Sequence, residues 1–427
     1  MIRRIRACSK VRGEISPPGD KSISHRGVIL NSIARGRAKV RGASSGADLA
    51  ATISCLRSLG VKIQAQNGVL DIWGGERLQE ADDVLQAQNS ATTARMLCGL
   101  LASQPFVSII TGDRSLRQRP MGRVMRPLRL MGAELWGRKN DLLPVVIRGA
   151  RLRGIEYTLP EPSAQVKSAI ILASLAASGE TKIKETIPCR DHTEKMLELM
   201  EADIKREGDV VIIKPKGGGL RPVSIDVPGD ISAASFWLVL GTIHPDAQIR
   251  IVNCGVNPTR MGIVNVLKDM GAKVEIENRR LWGNEPVADL YVESSHLHGI
   301  EVDPQAVPGV IDEVPLILLA GSLAQGRTVI RGASELRLKE VDRIRKTVME
   351  LSRFEIEARE LPDGAMIYGG AKLQGAECQS HGDHRLAMLL GVAGMVAQGE
   401  TAVHGAEAAS ISYPKFWDDA SSVCQYA

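Results

Sequence analysis

The feature that most constrains the fold of this chain is an internal repeat that recurs six times. Each copy opens with a polar, turn-like start, continues as an apolar helix of about four turns, and ends with glycine and a β-rich segment. The copies start close to residues 19, 88, 162, 228, 309 and 382. A period of about 70 residues indicates one supersecondary unit used six times, and ordinary α/β alternation is the alternative explanation.

A second marker lies between the repeat starts, where a helix ends and a strand begins. Five segments share it: CLRSLGVKIQ, PLRLMGAELW, MLELMEADIK, VLKDMGAKVE and VMELSRFEIEA. The small residues at most of these junctions suit a tight connection from helix to strand. Each repeat therefore predicts a β-α-β-α-β-β unit in an α/β protein. The stretch KPKGGGLRPVSIDVPGD at 214–230 is the best internal boundary and leaves three repeats on each side.

The bulk composition is typical of a globular protein. The chain has 427 residues, of which 44% are hydrophobic and only 3% aromatic, so aliphatic side chains must build the core. The formal net charge is +5, but the basic residues form no tail or long run. This distribution gives little support to nucleic-acid binding and is explained equally well by a small acidic substrate.

The seven cysteines are scattered and contain no CxxC pair. This pattern predicts neither a disulfide framework nor a zinc site, and it favours a reducing compartment. The start MIRRIRACSKVRG lacks the apolar segment of a signal peptide, and no apolar run reaches the length of a membrane span. We therefore expect a cytoplasmic protein.

Residues that can carry chemistry gather at the predicted helix starts. In PGDKSISHR, Asp20 is a good N-cap, and Lys21, Ser22 and Arg26 follow it. A helix start presents unpaired amides and the positive end of the helix dipole, which suits a phosphate. An ordinary capped surface helix is the alternative at this start. Other starts carry Asn89, Thr92, Arg95, Ser163, Gln165, Lys167, Asp312, Glu313, Asp383, His384 and Arg385.

Ten stretches together resemble the family of 5-enolpyruvylshikimate-3-phosphate synthase. They are PGDKSISHR, NSATTAR, RPMGR, SAQVKSA, RDHTEKML, PGDISAAS, NPTR, IDEVP, LRLKEVDR and GDHRLAM, in the family's order and over essentially the whole chain. The resemblance implies a two-domain, inside-out α/β barrel of the enolpyruvyl transferase type. It implies one domain of residues 1–18 and 229–427, another of 19–228, and an active site in the cleft between them.

The resemblance also implies the reaction. The family condenses shikimate 3-phosphate with phosphoenolpyruvate and releases inorganic phosphate, with no metal and no organic cofactor. The reaction is an addition followed by an elimination, through a tetrahedral intermediate. By resemblance Asp312 is the candidate base, Glu340 exchanges a proton with the enol carbon, Lys21 assists, and His384 supports Glu340.

Residues of this chain are assigned to the two substrates by the same resemblance. Shikimate 3-phosphate would be bound by Lys21, Ser22, Arg26, Ser163, Ala164, Gln165, Arg190, Asp312 and Lys339. Phosphoenolpyruvate would be bound by Lys21, Asn89, Ala91, Thr92, Arg95, Arg119, Gln165, Arg343 and Arg385. No nucleic-acid or membrane partner is expected, and a monomer is the default.

The chain departs from the family's usual pattern at four positions. Gln88 and Ala91 stand where the Gly-Asn-x-Gly-Thr segment has its two glycines. Val341 replaces a serine or threonine, and Ile411 stands where many members have a phosphate-contacting lysine. The methyl group of Ala91 lies beside the expected phosphoenolpyruvate pocket, so the resemblance implies low sensitivity to glyphosate, which is longer than phosphoenolpyruvate.

Two other functions remain open at this stage. A non-catalytic, polyanion-binding relative would not need both Asp312 and Glu340. A UDP-N-acetylglucosamine enolpyruvyl transferase normally has a reactive cysteine in a mobile loop, and no equivalent is recognisable here. Nucleotide-dependent chemistry lacks a motif, because the chain has neither a P-loop nor a GxGxxG segment after a strand.

Overall fold

The computed structural model describes residues 1–75, 77–216 and 218–426. The chain divides into two compact units, each with its own hydrophobic core. The first unit comprises Met1–Pro18, Pro228–Leu281 and Pro286–Ala427, and the second comprises Gly19–Val227 and Trp282–Glu285. Gly217, within the predicted boundary segment, lies outside the described residues.

The chain begins with two strands and then enters the second unit. The first strands are β1 (Ile2–Arg6) and β2 (Lys10–Ile15). The helices that follow are α1 (Lys21–Ile33), α2 (Ala47–Ser58), α3 (Ala91–Leu101), α4 (Gly122–Leu130), α5 (Ala164–Ser174) and α6 (His192–Leu199). The strands are β3 (Gly36–Arg41), β4 (Lys62–Gln66), β5 (Val69–Gly74), β6 (Leu85–Gln86), β7 (Val107–Thr111), β8 (Glu134–Arg138), β9 (Leu142–Arg148), β10 (Glu156–Leu159), β11 (Thr181–Glu185), β12 (Asp203–Glu207), β13 (Val210–Lys214) and β14 (Ile225–Asp226).

The rest of the chain supplies the remaining elements. The helices are α7 (Ile231–Ile243), α8 (Gly262–Asp269), α9 (Val307–Val310), α10 (Val314–Leu323), α11 (Arg343–Leu351), α12 (His384–Val396) and α13 (Phe416–Val423). The strands are β15 (Ala247–Gly255), β16 (Lys273–Trp282), β17 (Glu285–Glu293), β18 (Arg327–Ile330), β19 (Ala358–Leu361), β20 (Gly364–Tyr368), β21 (Glu377–Gln379), β22 (Glu400–His404) and β23 (Cys424–Gln425). Within the described ranges, no helix combines the length and the hydropathy that a bilayer span requires.

The three sheets of the second unit share one strand order. They run β14-β3-β5-β4, β6-β7-β9-β8 and β10-β11-β13-β12. In each sheet the first two strands pair in parallel and the other pairs are antiparallel. The predicted β-α-β-α-β-β order is thus present in β6-α3-β7-α4-β8-β9 and in β10-α5-β11-α6-β12-β13. In the first repeat the parallel strand is β14, which comes from the end of the unit.

The first unit follows the same plan less regularly. Its sheets run β16-β17-β15-β2-β23, β18-β20-β19 and β1-β22-β21. Strand β2 pairs in parallel with β15, and β1 pairs antiparallel with β22, so the start of the chain completes the fourth and sixth repeats. In the fifth repeat two isolated parallel bridges, His298 with Gln325 and Glu301 with Val329, replace the parallel strand.

One cysteine pair differs from the sequence-based expectation. Cys8 and Cys424 form a disulfide, with Cα atoms 5.5 Å apart and a sequence separation of 416. The pairing of β2 with β23 brings these two ends of the chain together. Cysteine spacing carries no information about such a pair, because the register of two terminal strands decides it.

The first helix of each repeat is buried and carries the core. Every residue of α3 after Ala91 is buried, and Ile231–Thr242 of α7 are buried as well. The strands alternate buried and exposed residues, as in β7 and β9, so one sheet face packs on the helices and the other faces solvent. The predicted α/β fold with helices inside the sheets is confirmed.

The close approach of α3 and α5 gives a test of this packing. A Cβ atom on Gly99 would lie 2.2 Å from the carbonyl oxygen of Ala169, a backbone atom that cannot turn away. We expect Gly99→Ala to lower the free energy of unfolding by about 1–3 kcal/mol, as overpacking does, measured by urea denaturation. Gly309→Ala is the control, because a Cβ there meets nothing within 4 Å. Equal stability of the two variants would contradict the proposed contact.

Candidate active site

The three buried helices of the second unit begin with side-chain caps. Asp20 Oδ1 accepts from the amide of Ile23 at 2.9 Å, and Ser90 Oγ accepts from the amide of Thr93 at 3.2 Å. Ser163, a predicted ligand of shikimate 3-phosphate, caps α5 and is followed by Ala164. These caps fix where each helix starts, so the residues in its first turn have defined positions.

Gln165 joins the starts of α3 and α5. Its Oε1 accepts from Arg95 Nη1 at 2.6 Å, and its Nε2 donates to Thr92 Oγ1 at 2.9 Å. Both arms of the carboxamide are therefore engaged, and the guanidinium of Arg95 is oriented by a neutral partner. The structure brings together three residues that the resemblance assigned to phosphoenolpyruvate.

The turn before α3 holds a second group of the assigned residues. Arg119 Nη2 donates to Asn89 Oδ1 at 2.7 Å, and Asn89 Nδ2 donates to Asp113 Oδ2 at 2.6 Å. Gln88 has φ 53°, in the left-handed region where glycine is favoured. Ala91 is the first residue of α3 and is partly buried.

Arg26 is buried in a cradle of neutral oxygens. Its side chain donates to Thr193 Oγ1 at 2.6 Å, to Ser168 Oγ at 2.7 Å and to the carbonyl of Ser22 at 2.9 Å. Burial lowers the pKa of Arg26 to about 10, which leaves the guanidinium charged at neutral pH. Arg190 Nη1 lies 3.5 Å from Ser22 Oγ, so two assigned cations flank Ser22.

Sequence reasoning missed the residues that support this region from α2. Lys21 forms an ion pair with Asp48, in the first turn of α2. Behind them, His25 Nδ1 lies 2.7 Å from Thr52 Oγ1, which lies 2.6 Å from Thr93 Oγ1. Burial lowers the pKa of His25 to about 3, so this imidazole is neutral. The signal in the sequence was an acidic residue at the start of α2, but only the fold shows that this residue lies beside Lys21.

In the first unit, the buried Arg343 is the centre of a group of three carboxylates, of which Asp383 is buried and the other two are partly exposed. Its Nε lies 2.7 Å from Asp383 Oδ2, its Nη2 lies 2.5 Å from Glu340 Oε2, and its Nη1 lies 3.6 Å from Asp312 Oδ1. Burial alone would lower the pKa of Arg343, but the three carboxylates outweigh it and raise that pKa. The guanidinium therefore stays charged and fixes the two proposed proton-transfer groups, Asp312 and Glu340, on either side of it.

Asp312 faces three cations. Lys339 Nζ and Arg343 Nη1 each lie 3.6 Å from its Oδ1, and Arg385 Nη2 lies 3.8 Å from its Oδ2. Arg385 also donates to the carbonyl of Asp312 at 3.2 Å. This arrangement fixes the carboxylate and concentrates positive charge around it, as a site for anionic substrates requires.

His384 opens α12 beside the cap residue Asp383, whose Oδ1 accepts from the amides of Arg385 and Leu386. Its imidazole is buried, and Nδ1 has no hydrogen-bond partner among the described residues. Burial, against the opposing charge of Asp383, lowers the pKa of His384 to about 4.

Two of the four departures from the family's usual pattern lie in the first unit. Val341 and Ile411 are partly buried and pack against the hydrophobic core.

Across residues 1–75, 77–216 and 218–426, no cluster of three or more His, Cys, Asp or Glu side chains has the arrangement of a metal site.

Comparisons with known proteins were made for the whole chain. The family model for EPSP synthase (3-phosphoshikimate 1-carboxyvinyltransferase) matches residues 5–420. The chain is 47% identical over 422 residues to the 3-phosphoshikimate 1-carboxyvinyltransferase of Herpetosiphon aurantiacus, covering 98% of each chain. The chain belongs to the EPSP synthase family.

Solved structures agree with this membership. EPSP synthase from Acinetobacter baumannii superimposes with a TM-score of 0.88 at 40% identity, over 100% of this chain and 98% of that one. The enolpyruvyl transferase NikO from Streptomyces tendae has a TM-score of 0.80 at 16% identity, over 99% and 97% of the two chains, and shows the same fold. The family prediction is confirmed, and the UDP-N-acetylglucosamine enolpyruvyl transferase alternative is set aside. The roles assigned to single residues stay predictions.

The low pKa of His384 in this EPSP synthase family member predicts a pH dependence of stability. Unfolded histidine takes up a proton near pH 6.5, whereas folded His384 does so only near pH 4, so the unfolded state binds more protons between these values. The free energy of unfolding should fall as pH decreases through this window, by at most about 1.4 kcal/mol per pH unit from this group. Urea unfolding of the unmodified chain and of His384→Asn measures the difference. Parallel curves would contradict the prediction.

Proposed function

We propose that this chain transfers the enolpyruvyl group of phosphoenolpyruvate to the 5-hydroxyl of shikimate 3-phosphate. The products are 5-enolpyruvylshikimate 3-phosphate and inorganic phosphate. The observation that carries the proposal is the pairing of Arg343 with both Asp312 and Glu340. A protein that only bound polyanions would gain nothing from two carboxylates held beside its buried cation.

The proposed mechanism uses the two carboxylates as proton-transfer groups. Asp312 accepts the proton of the 5-hydroxyl while the hydroxyl oxygen bonds to C2 of phosphoenolpyruvate. Glu340 gives a proton to C3, which becomes a methyl group. In the elimination, the bond between C2 and the phosphate oxygen breaks, and Glu340 takes a proton back from the methyl group. The phosphate leaves with the proton that Asp312 had accepted, so both carboxyl groups return to their starting states. Arg343 keeps both carboxylates in place, and neutral His384 adds no charge beside Glu340.

The substrates carry a large negative charge. Two phosphate groups of about −1.5 to −2 each, with two carboxylates, give about −5 to −6. Eight cations are proposed to balance it: Lys21, Arg26, Arg95, Arg119, Arg190, Lys339, Arg343 and Arg385. Arginine suits this task because its planar fork contacts two oxygens of a carboxylate or phosphate at once.

The transferase activity is tested by phosphate release with each substrate omitted in turn. We expect release to require both substrates, and Glu340→Gln to lower kcat by about 100-fold or more, the usual contribution of a general acid–base group. Glu360→Gln is the matched control, since Glu360 lies on the edge strand β19 and pairs with Arg337. Saturable binding of shikimate 3-phosphate without turnover would instead support the non-catalytic relative.

Glyphosate sensitivity is a separate prediction, which rests on the methyl group of Ala91 at the start of α3. We expect the unmodified chain to resist glyphosate and Ala91→Gly to be inhibited at lower concentration, because the extra space admits the longer inhibitor. Ala47→Gly removes a methyl group from the exposed start of α2 and is the control. Submicromolar inhibition of the unmodified chain, competitive with phosphoenolpyruvate, would contradict the prediction.

A monomeric state and a cytoplasmic location complete the proposal. The monomer is the default for an enzyme that needs no partner, and the cytoplasmic location is the expectation from the scattered cysteines, five of which are free thiols. Light scattering coupled to size-exclusion chromatography tests the first of these.

A further inference from the structure

The second unit contains a buried ionic cluster that the proposed reaction does not use. The side chain of Lys167 is 0% exposed, and its Nζ lies 3.0 Å from Glu185 Oε1 and 2.5 Å from Glu194 Oε1. Glu185 Oε2 also pairs with Arg206 Nη1 at 2.7 Å. Desolvating such charges is costly, and apolar replacements of whole buried clusters are often as stable. Stability alone therefore does not explain why the cluster is present.

The cluster fixes the backbone of Cys189. Lys167 Nζ donates to the carbonyl oxygen of Cys189 at 3.3 Å, and the amide of Cys189 donates to Glu185 Oε1 at 3.1 Å. The carbonyl and the amide of one residue are thus held by two members of the cluster. The next residue is Arg190, so the position of its backbone is set by the fixed backbone of Cys189.

The cluster also reaches the oxygens that orient Arg26. Glu194 follows Thr193 on α6, and Lys167 precedes Ser168 on α5. The hydroxyls of Thr193 and Ser168 lie 2.7 Å apart, and each accepts a hydrogen bond from Arg26. The ion pair between Lys167 and Glu194 therefore ties α5 to α6 directly beside the Arg26 cradle.

We propose that Lys167 is a positioning residue for shikimate 3-phosphate, because it holds the 189–194 segment against α5 and so sets the places of Arg190 and Arg26. The inference rests on the proposed function, which assigns these two arginines to that substrate. Lys167 itself is fully buried, so it acts through the segments that it holds. We expect its effect to be specific to one substrate, since Arg95 and Arg119, which are assigned to phosphoenolpyruvate alone, are held by other bonds.

The test is the double variant Lys167→Met/Glu194→Gln. It removes one positive and one negative charge together, and Glu185 keeps Arg206 and the amide of Cys189 as partners. The single variant Lys167→Met would instead leave two buried carboxylates facing each other, which endangers folding. The matched control is Lys182→Met/Glu156→Gln, a lysine–glutamate pair at 2.9 Å that is exposed on the sheet of the same repeat.

We expect the double variant to raise KM for shikimate 3-phosphate at least about tenfold, the scale of one charged hydrogen bond. The dissociation constant of that substrate, by calorimetry, should rise in parallel, while KM for phosphoenolpyruvate and kcat change less than about twofold. The control should leave all of these values unchanged.

Three other outcomes separate the possible failures. An unmodified chain that releases no phosphate from the two substrates overturns the proposed function. An active unmodified chain with unchanged KM and dissociation constant in the double variant overturns the positioning role alone. A lower kcat together with higher KM values for both substrates and a lower thermal midpoint would assign the cluster a purely structural role. That result also overturns the inference.

Discussion

A helix that is buried along its whole length still has four amide groups at its start that find no partner inside the helix. In five of the six repeats a side chain at the N-cap satisfies part of this need: Asp20, Ser90, Ser163, Asp230 and Asp383. In α10 a proline occupies the first turn and removes one of the amide groups. Because the helix bodies are largely apolar, the charged residues of these helices lie in the first two turns, and several of the candidate site residues lie there with them.

The two units treat their buried arginines differently. Arg26 is held by hydroxyls and a carbonyl, so its positive charge is not cancelled by a neighbouring carboxylate in direct contact. Arg343 contacts Asp383 and Glu340 directly, with Asp312 further away, so its charge is offset locally. Neutral acceptors preserve a positive field that attracts anions, whereas carboxylates in contact with an arginine are held in fixed positions. The first arrangement suits binding, and the second suits acid–base chemistry.

Local sequence patterns predicted the parts of the structure that local forces determine. The apolar helices with polar starts follow from the spacing of residues such as Lys21 and Arg26 within one turn or two. The features that the sequence patterns did not predict depend on contacts between distant segments. Strand β14 completes the first repeat, β1 completes the sixth, and Cys8 forms a disulfide with Cys424. The same holds for the burial of Lys167, which appeared in sequence as one more polar residue at a helix start.

The two departures around Asn89 illustrate how a residue's conformation decides what a substitution changes. Gln88 lies in the left-handed region, and its carbonyl accepts from the amide of Asp113 at 2.8 Å, so the turn keeps its shape. Its side chain is exposed, and its Cβ costs about 1–2 kcal/mol of backbone strain relative to glycine. Ala91 has helical geometry that any residue adopts, so its methyl group changes only the space at the start of α3. A residue other than glycine at the first position therefore affects stability, whereas at the second position it changes the space beside the helix start.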